Sequence, residues 1–300
     1  MAVALGALVL AVGWFLNRPD PTDPTTSTNP TIDADLQLAC SQAFTLVCDE
    51  LALRNGLGRT DYAIGDPTPA DSVVIGFGGD LPPEATVFAR SPVAIGIWAD
   101  KAPTLEIACG TVDPTCLVEQ AGKSWAEIGG SPDWGTVRLG LADPATGMAD
   151  LEAWRLIAAE DPGNGLRASV PLRTESEGDL IEEMVLFPSR VDIIVGSEVA
   201  IGSQLANARA RAGRIDVYYP DPTPYLPVAA IGDGRAARNL VQSLTSPEIQ
   251  ALLGSLGLRP LNGDAQNLMQ DLGTPGAEGP LATDAEKATL QASWDSLIGS

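Results

Sequence analysis

No histidine occurs among the 300 residues, so any chemistry this chain performs rests on carboxylates, hydroxyls, lysines and backbone donors. That excludes Ser-His-Asp and Cys-His nucleophile pairs and every His-ligated zinc site. Asp143, Asp192 and Glu198 stand at the ends of apolar runs and are the candidates for a general base. Base catalysis would need two of them to converge with one pKa raised, and their spacing does not provide it. The sequence therefore nominates no catalytic residue, no metal site and no cofactor, and the chain is not expected to be an enzyme, although carboxylate or lysine catalysis stays open.

Backbone donors offer a different chemistry. In residues 137–154, VRLGLADPATGMADLEAW, Val137, Leu139 and Leu141 alternate as a short strand, and Asp143-Pro144 breaks it. Met148, Leu151 and Trp154 then recur at helical spacing. A strand, tight loop and helix start leave the N–H groups of Thr146, Gly147 and Met148 without helical partners, which suits an anion or a polar solute. An ordinary αβ junction without a ligand is the plain alternative. The same arrangement recurs at residues 191–195, VDIIV, which deliver Gly196, Ser197 and Glu198 ahead of a helical run over 199–212.

Two earlier strands end in comparable residues. Residues 35–40 alternate through Leu36, Leu38 and Cys40 and deliver Ser41, whose hydroxyl can cap the next helix or meet a ligand. Residues 72–77, SVVIGF, deliver Gly78 and Gly79, where backbone can approach a solute closely or simply turn. Tyr218 and Tyr219 close the strand RIDVYY at 214–219, and their hydroxyls are placed to pack or to reach a cleft.

The elements that must hold these loops alternate between strand and helix. Residues 91–100, SPVAIGIWAD, form a strand, and Asp113-Pro114 starts a helix carrying Leu117 and Val118. Residues 123–128 read as helical. Pro220, Pro222, Pro224 and Pro227 keep the exit from RIDVYY extended. Helices follow over 233–244 and 248–256, then a loop over 263–282 and a last helix over 283–298 with Leu290, Trp294 and Leu297 facing inward.

With 45% hydrophobic residues the chain has ample material for a core, while 18 basic against 39 acidic residues give a formal charge of −21. That charge repels polyphosphates and argues against nucleic acid as a partner. Residues 2–16 are an unbroken apolar run, about 22 Å long as a helix. Its length suits a secretory signal, but no basic residue precedes it and no small-residue cleavage site follows, so an uncleaved anchor is the favoured reading and a cleaved signal the alternative. Residues 18–33 hold four prolines and five threonines and read as an extended spacer. Cys40, Cys48, Cys109 and Cys116 agree with an oxidising compartment. Of the three connectivities open to four cysteines, the short spacings suggest local bridges 40–48 and 109–116, each joining a strand end to the following helix.

Four stretches resemble the extracellular solute-binding proteins of ABC transporters. They are SPVAIGIWAD, RLGLADPATGMADLEAW, IIVGSEVAIGSQLAN, and DVYYPDPTPYLPVAAIG followed by AARNLVQSLTSPEIQALLGSLGLRP. The likeness is to the molybdate- and oxyanion-binding branch, and especially to actinobacterial forms that accompany von Willebrand A domains. It implies a type II periplasmic-binding fold, α/β, with two lobes joined by two crossover strands. Lobe I would take residues 34–91 and 225–300 and lobe II residues 92–224, after an anchor or signal at 1–17 and the linker at 18–33.

The resemblance places Ser41 at a first ligand contact, Gly78 and Gly79 at a second, Ala145, Thr146 and Gly147 at a third, and Ser197 with Glu198 at a fourth. The family often offers a hydroxyl at the second contact; glycine there argues against a tetrahedral oxyanion. Glu198 facing the cleft would repel an anion or pair with a cation; as a first-turn residue it would stabilise the helix dipole. The expected function is capture of a small polar or anionic solute outside the cytoplasm, by a monomer that delivers it to an ABC permease or serves sensing. The alternative is an envelope protein-interaction module of the same fold, which predicts an apolar or filled cleft.

Overall fold

The computed structural model describes residues 36–63, 72–160, 166–208, 214–261 and 273–298. The expected anchor and linker lie outside them, and among the described residues no helix is long and apolar enough to cross a membrane.

The chain builds the core of one lobe, crosses to a second, and returns. Strand β1 (Gln37–Cys40), helix α1 (Thr45–Asn55), β2 (Gly58–Asp61) and β3 (Ser72–Phe77) open lobe I, with β1 parallel to both β2 and β3. Every residue of β3 is buried, as expected for a strand covered on both faces. Strand β4 (Thr86–Trp98) then leaves lobe I and enters lobe II.

Lobe II contains α2 (Ala102–Cys109), α3 (Pro114–Gln120), β5 (Leu139–Ala142), α4 (Met148–Ala158), α5 (Leu166–Ser169), β6 (Leu172–Thr174), α6 (Glu177–Leu186), β7 (Ile193–Ser197), α7 (Glu198–Ala208) and β8 (Ile215–Tyr218). β5 runs parallel to β6 and β7, and β4 pairs antiparallel with β7 and β8.

The return is β9 (Thr223–Gly232), followed by α8 (Gly234–Ser243), α9 (Pro247–Ser255), β10 (Arg259–Pro260), β11 (Glu278–Gly279) and α10 (Asp284–Leu297). β9 lies antiparallel between β3 and β4, giving the strand order β2-β1-β3-β9-β4-β7-β5-β6. β4 shares its first half with β9 and its second half with β7 and β8, so one continuous strand belongs to both lobes.

Several local expectations change. The proline-rich exit after β8 is a ten-residue strand, because its prolines leave enough backbone free to pair with β3 and β4. Residues 125–128 form only a 3-10 turn, closed by a Ser124 and Glu127 capping box. The disulfides are Cys40–Cys48 and Cys109–Cys116. The first joins β1 to α1, whereas the second joins two helices, α2 and α3, and not a strand to a helix. Helix α10, expected with lobe I, packs on α4 of lobe II: Trp154 stacks edge-on to Trp294 at 5.3 Å, and its Nε1 donates to the Leu290 carbonyl at 2.9 Å.

Asp192, a candidate base in the sequence, is instead the anchor of the lobe II end opposite the cleft. Its fully buried carboxylate pairs with Lys101 and accepts from Arg138 N at 2.9 Å, Arg138 Nη2 at 2.7 Å and Trp125 Nε1 at 3.3 Å. Removing one partner of such a buried pair strands the other charge. Asp192→Ala is expected to lower stability by about 3–5 kcal/mol, read by urea unfolding; an unchanged midpoint would show that the pair does not anchor the lobe.

Candidate functional site

The parallel trios β1, β2, β3 of lobe I and β5, β6, β7 of lobe II point their carboxyl ends at one place, the region between the lobes, where open α/β sheets hold ligands. A cavity of about 800 Å³ lies there. Lobe I contributes Ser41 to Thr45 after β1, Arg59, Asp61 and Tyr62 around the end of β2, and Phe77 with Asp80 after β3. Lobe II contributes the β5–α4 loop and the first turns of α4 and α6. The Cys40–Cys48 bridge encloses the Ser41 to Thr45 wall within an eight-residue span, and a closed loop that short adds about 2–3 kcal/mol in the chain-entropy model.

The structure brings Ser41, Ala145, Thr146 and Gly147 to the cavity wall. Ser197 is fully buried and bonded to Glu177, which does line the cavity. Gly78 and Gly79 are not part of the wall: a side chain at Gly78 would meet Pro227 and one at Gly79 would meet Met148 at 2.8 Å, so these glycines let lobe I approach β9 and α4. Glu198 faces away from the cavity, in an ion pair with Arg259 at 2.6 Å and accepting from Tyr219 Oη at 2.7 Å. Tyr218 donates to Glu106 Oε1 at 2.8 Å and also lies off the wall.

The other proposed bases do not converge. Asp192 and Glu198 flank opposite ends of β7, six residues apart and so about 20 Å from each other in an extended strand. Asp143 closes its own turn, accepting from Ala145 N at 2.9 Å.

The decisive finding concerns the donors left free at helix starts. Two of them, at Met148 and Ser197, are taken by acidic side chains, and others by a backbone carbonyl or a serine hydroxyl. Met148 N donates across the cleft to Asp80 Oδ1 at 2.8 Å, and Thr146 N donates to the Asp143 carbonyl at 3.1 Å. Ser197 gives both its donors to Glu177, N to Oε2 at 2.7 Å and Oγ to Oε1 at 2.9 Å. Carboxylates thus occupy the positions where an anion would sit, which is what the partial positive charge of a helix N-terminus favours.

Three carboxyl groups cluster here: half-buried Asp80 after β3, and buried Asp150 in the first turn of α4 and Glu177 at the start of α6. Burial pushes Asp80 up to about 6, opposed by its bond from Met148 N and by Lys287. Burial pushes Glu177 up to about 7 against the two Ser197 bonds. Asp150 is held well above the usual carboxylate range, first by burial and then by the neighbouring Glu177 charge. Thr146 Oγ1 lies 3.0 Å from Asp150 Oδ2 and 2.7 Å from the Asp143 carbonyl. One hydroxyl proton serves only one acceptor, so a protonated Asp150 donating to Thr146 satisfies the chain of three.

Sequence reasoning missed α6. Its signal was present: Ser176 is an N-cap whose Oγ accepts from Asp179 N at 3.2 Å, with Glu177 and Asp179 in the first turn and Leu180, Ile181 and Met184 on the buried face. Asp80 carried no signal beyond following two glycines, because its partner is 68 residues away.

Residues 62–259 match the family described as bacterial extracellular solute-binding protein, and the chain belongs to that family. Among solved structures it is similar to the periplasmic binding protein AfuA from Actinobacillus pleuropneumoniae with fructose-6-phosphate bound, at TM-score 0.54 and 12% identity over 88% of this chain and 98% of that one. The sulfate-binding protein SubI from Mycobacterium tuberculosis aligns at TM-score 0.51 and 15% identity, covering 88% and 91%. The periplasmic molybdate-binding protein of Azotobacter vinelandii aligns at 0.51 and 11%, covering 76% and 100%. No curated protein matches the chain. The fold is that of the type II periplasmic binding proteins, and the family's members are binding proteins found outside the cell membrane.

Raised carboxyl pKa values have a consequence for stability. Between the ordinary carboxylate range and about pH 7, the folded chain holds protons on Asp80 and Glu177 that the unfolded chain has released. Stability therefore falls as pH rises through that window, by up to about 1.4 kcal/mol per pH unit for each group. The melting temperature is expected to be lower at pH 8 than at pH 5. Asp150→Asn, which keeps the bond to Thr146 and removes a buried charge, is expected to raise the pH 8 value and flatten the slope; an equal or steeper slope would refute this account of the cluster.

Proposed function

We propose that this protein captures one small polar solute in the cavity between its lobes, outside the cytoplasm, and delivers it to an ABC permease or a sensing partner. The observation that carries this reading is the cavity itself, walled by polar groups from both lobes at the carboxyl ends of their strands, in a chain of the solute-binding family. Lobe I takes residues 34–91 and 225–300 and lobe II residues 92–224, with α10 seated on lobe II. Hinge motion about β4 and the link from β8 to β9 opens and closes the lobes. Asp80 to Met148 and Ser176 to Gln42 are contacts that closure makes.

The chain acts as a monomer, held to the membrane by residues 1–17 and spaced from it by 18–33, or released there if that segment is cleaved. Its place among actinobacterial forms that accompany von Willebrand A domains belongs to the same reading. The rival interaction module predicts an apolar cleft, and the carboxylates of this cavity count against it.

Ser41, Ala145, Thr146 and Gly147 contact the solute, with Ser197 supporting them through Glu177. A thermal-shift screen of the full chain against oxyanions, amino acids, sugars and amines is the test. A compound at 100 times its dissociation constant is expected to add about 2.7 kcal/mol of stability. Thr146→Val removes the hydroxyl partner of Asp150 and is expected to weaken that compound about tenfold, by calorimetric titration. Recovery of an envelope protein in pull-downs with no compound shifting the melting temperature would end the receptor reading.

A further inference from the structure

The cavity wall carries six carboxylates, Asp61, Asp80, Asp150, Glu175, Glu177 and Asp179, against one guanidinium, that of Arg59. Arg59 adds little positive field, because it is paired to Asp49 at 3.2 Å and to Asp61 at 2.9 Å, although its Nε is buried without a partner. Donors at Met148 and Ser197 are already filled by Asp80 and Glu177. Asp150 Oδ1, buried on the same wall, makes no hydrogen bond of ordinary geometry, and the Glu177 backbone N–H is the weakest of the groups acting on this carboxyl. An unpartnered buried carboxylate oxygen lacks a donor, and an oxyanion without O–H groups supplies none.

We propose that the solute is an organic cation, whose ammonium or guanidinium group donates to Asp150 Oδ1 and lies between the carboxylates of Asp80 and Glu177. This rests on the receptor reading above and narrows it to a solute class. A bare metal ion fits poorly, since no three potential ligands among the described residues converge as a coordination group. Tyr62 and Phe77 supply aromatic surface on the lobe I side for the ligand's apolar body or for a cation over a ring.

Binding ionises the cluster. Asp80, Asp150 and Glu177 face the group from the β3 turn, α4 and α6, with Asp61, Glu175, Asp179 and Arg59 at the rim and Lys287 of α10 acting on Asp80. A cation arriving at neutral pH releases protons from the buried carboxyls, so affinity rises with pH.

The test is calorimetric titration and thermal shift of the full chain in detergent with putrescine, agmatine, L-arginine and ethanolamine, beside sulfate, molybdate and glucose. At least one cation is expected to bind, about tenfold or more weakly at pH 5 than at pH 8. Asp150→Asn is expected to abolish that binding while melting no lower than the unaltered chain, which separates lost recognition from lost folding. Binding of sulfate, molybdate or glucose with no response to any cation would overturn the cation class and leave the receptor reading standing. No response to any of the seven compounds would overturn both. Undiminished cation binding by Asp150→Asn would overturn the assignment to this carboxylate.

Discussion

The hydrogen bond from Met148 N to Asp80 joins the two halves of this molecule at the point where they would grip a ligand. A helix start must dispose of N–H groups that have no partner within the helix. Lobe II offers such a donor at α4, and lobe I answers it with a carboxylate carried at the end of β3. Gly79 makes that approach possible, since any side chain there would press on the Met148 sulfur. The cost falls on Asp80, which is desolvated beside two other buried carboxyl groups.

Burial of like charges is unfavourable, and proteins usually relieve it by keeping protons or importing opposite charge. Here Glu177 is relieved by both donors of Ser197, and Asp150 by Thr146 on one oxygen only. The remaining oxygen of Asp150 is a buried acceptor without a partner on the cavity wall, as Arg59 Nε is a buried donor without one. Binding sites commonly retain destabilising groups of this kind because their relief is the driving force for the ligand. Elsewhere the chain sets opposite charge against its buried carboxylates: Asp192 meets Lys101 and Arg138, and Glu198 meets Arg259 through Oε2, although its Oε1 is also without a hydrogen-bond partner. That contrast marks the Asp80, Asp150 and Glu177 cluster as different in kind from the structural ion pairs.

Much of the fold was legible in the sequence. Period-two alternation at 137–141, the apolar run at 72–77, the helix signal at Asp113-Pro114 and the helix expected over 248–256 all correspond to elements of the structure. The short cysteine spacings gave the two bridges. Less legible were β9, hidden behind prolines that normally mark irregular chain, and α6, unassigned in the sequence despite its capping serine and acidic first turn. The missed helix was costly, because Glu177 sits at its start. Glu198 shows the opposite error. Its position after a strand end resembled that of Ser197, but consecutive residues there point in different directions, one toward Glu177 and the other toward Arg259.

By itself the sequence determined where strands end and helices begin, which pairs of cysteines are near, and the overall acidity of the chain, because these follow from local spacing and composition. It also identified the loops that come to the cleft, Ser41 and Ala145 to Gly147 among them. Only the tertiary structure decided the sign of the site. The donors at Met148 and Ser197 look free in sequence, and what fills them are Asp80 and Glu177, 68 and 20 residues distant. Whether a backbone N–H is open to a ligand depends on what the fold brings against it. Long-range pairing of that kind leaves no trace in the periodicity of either segment.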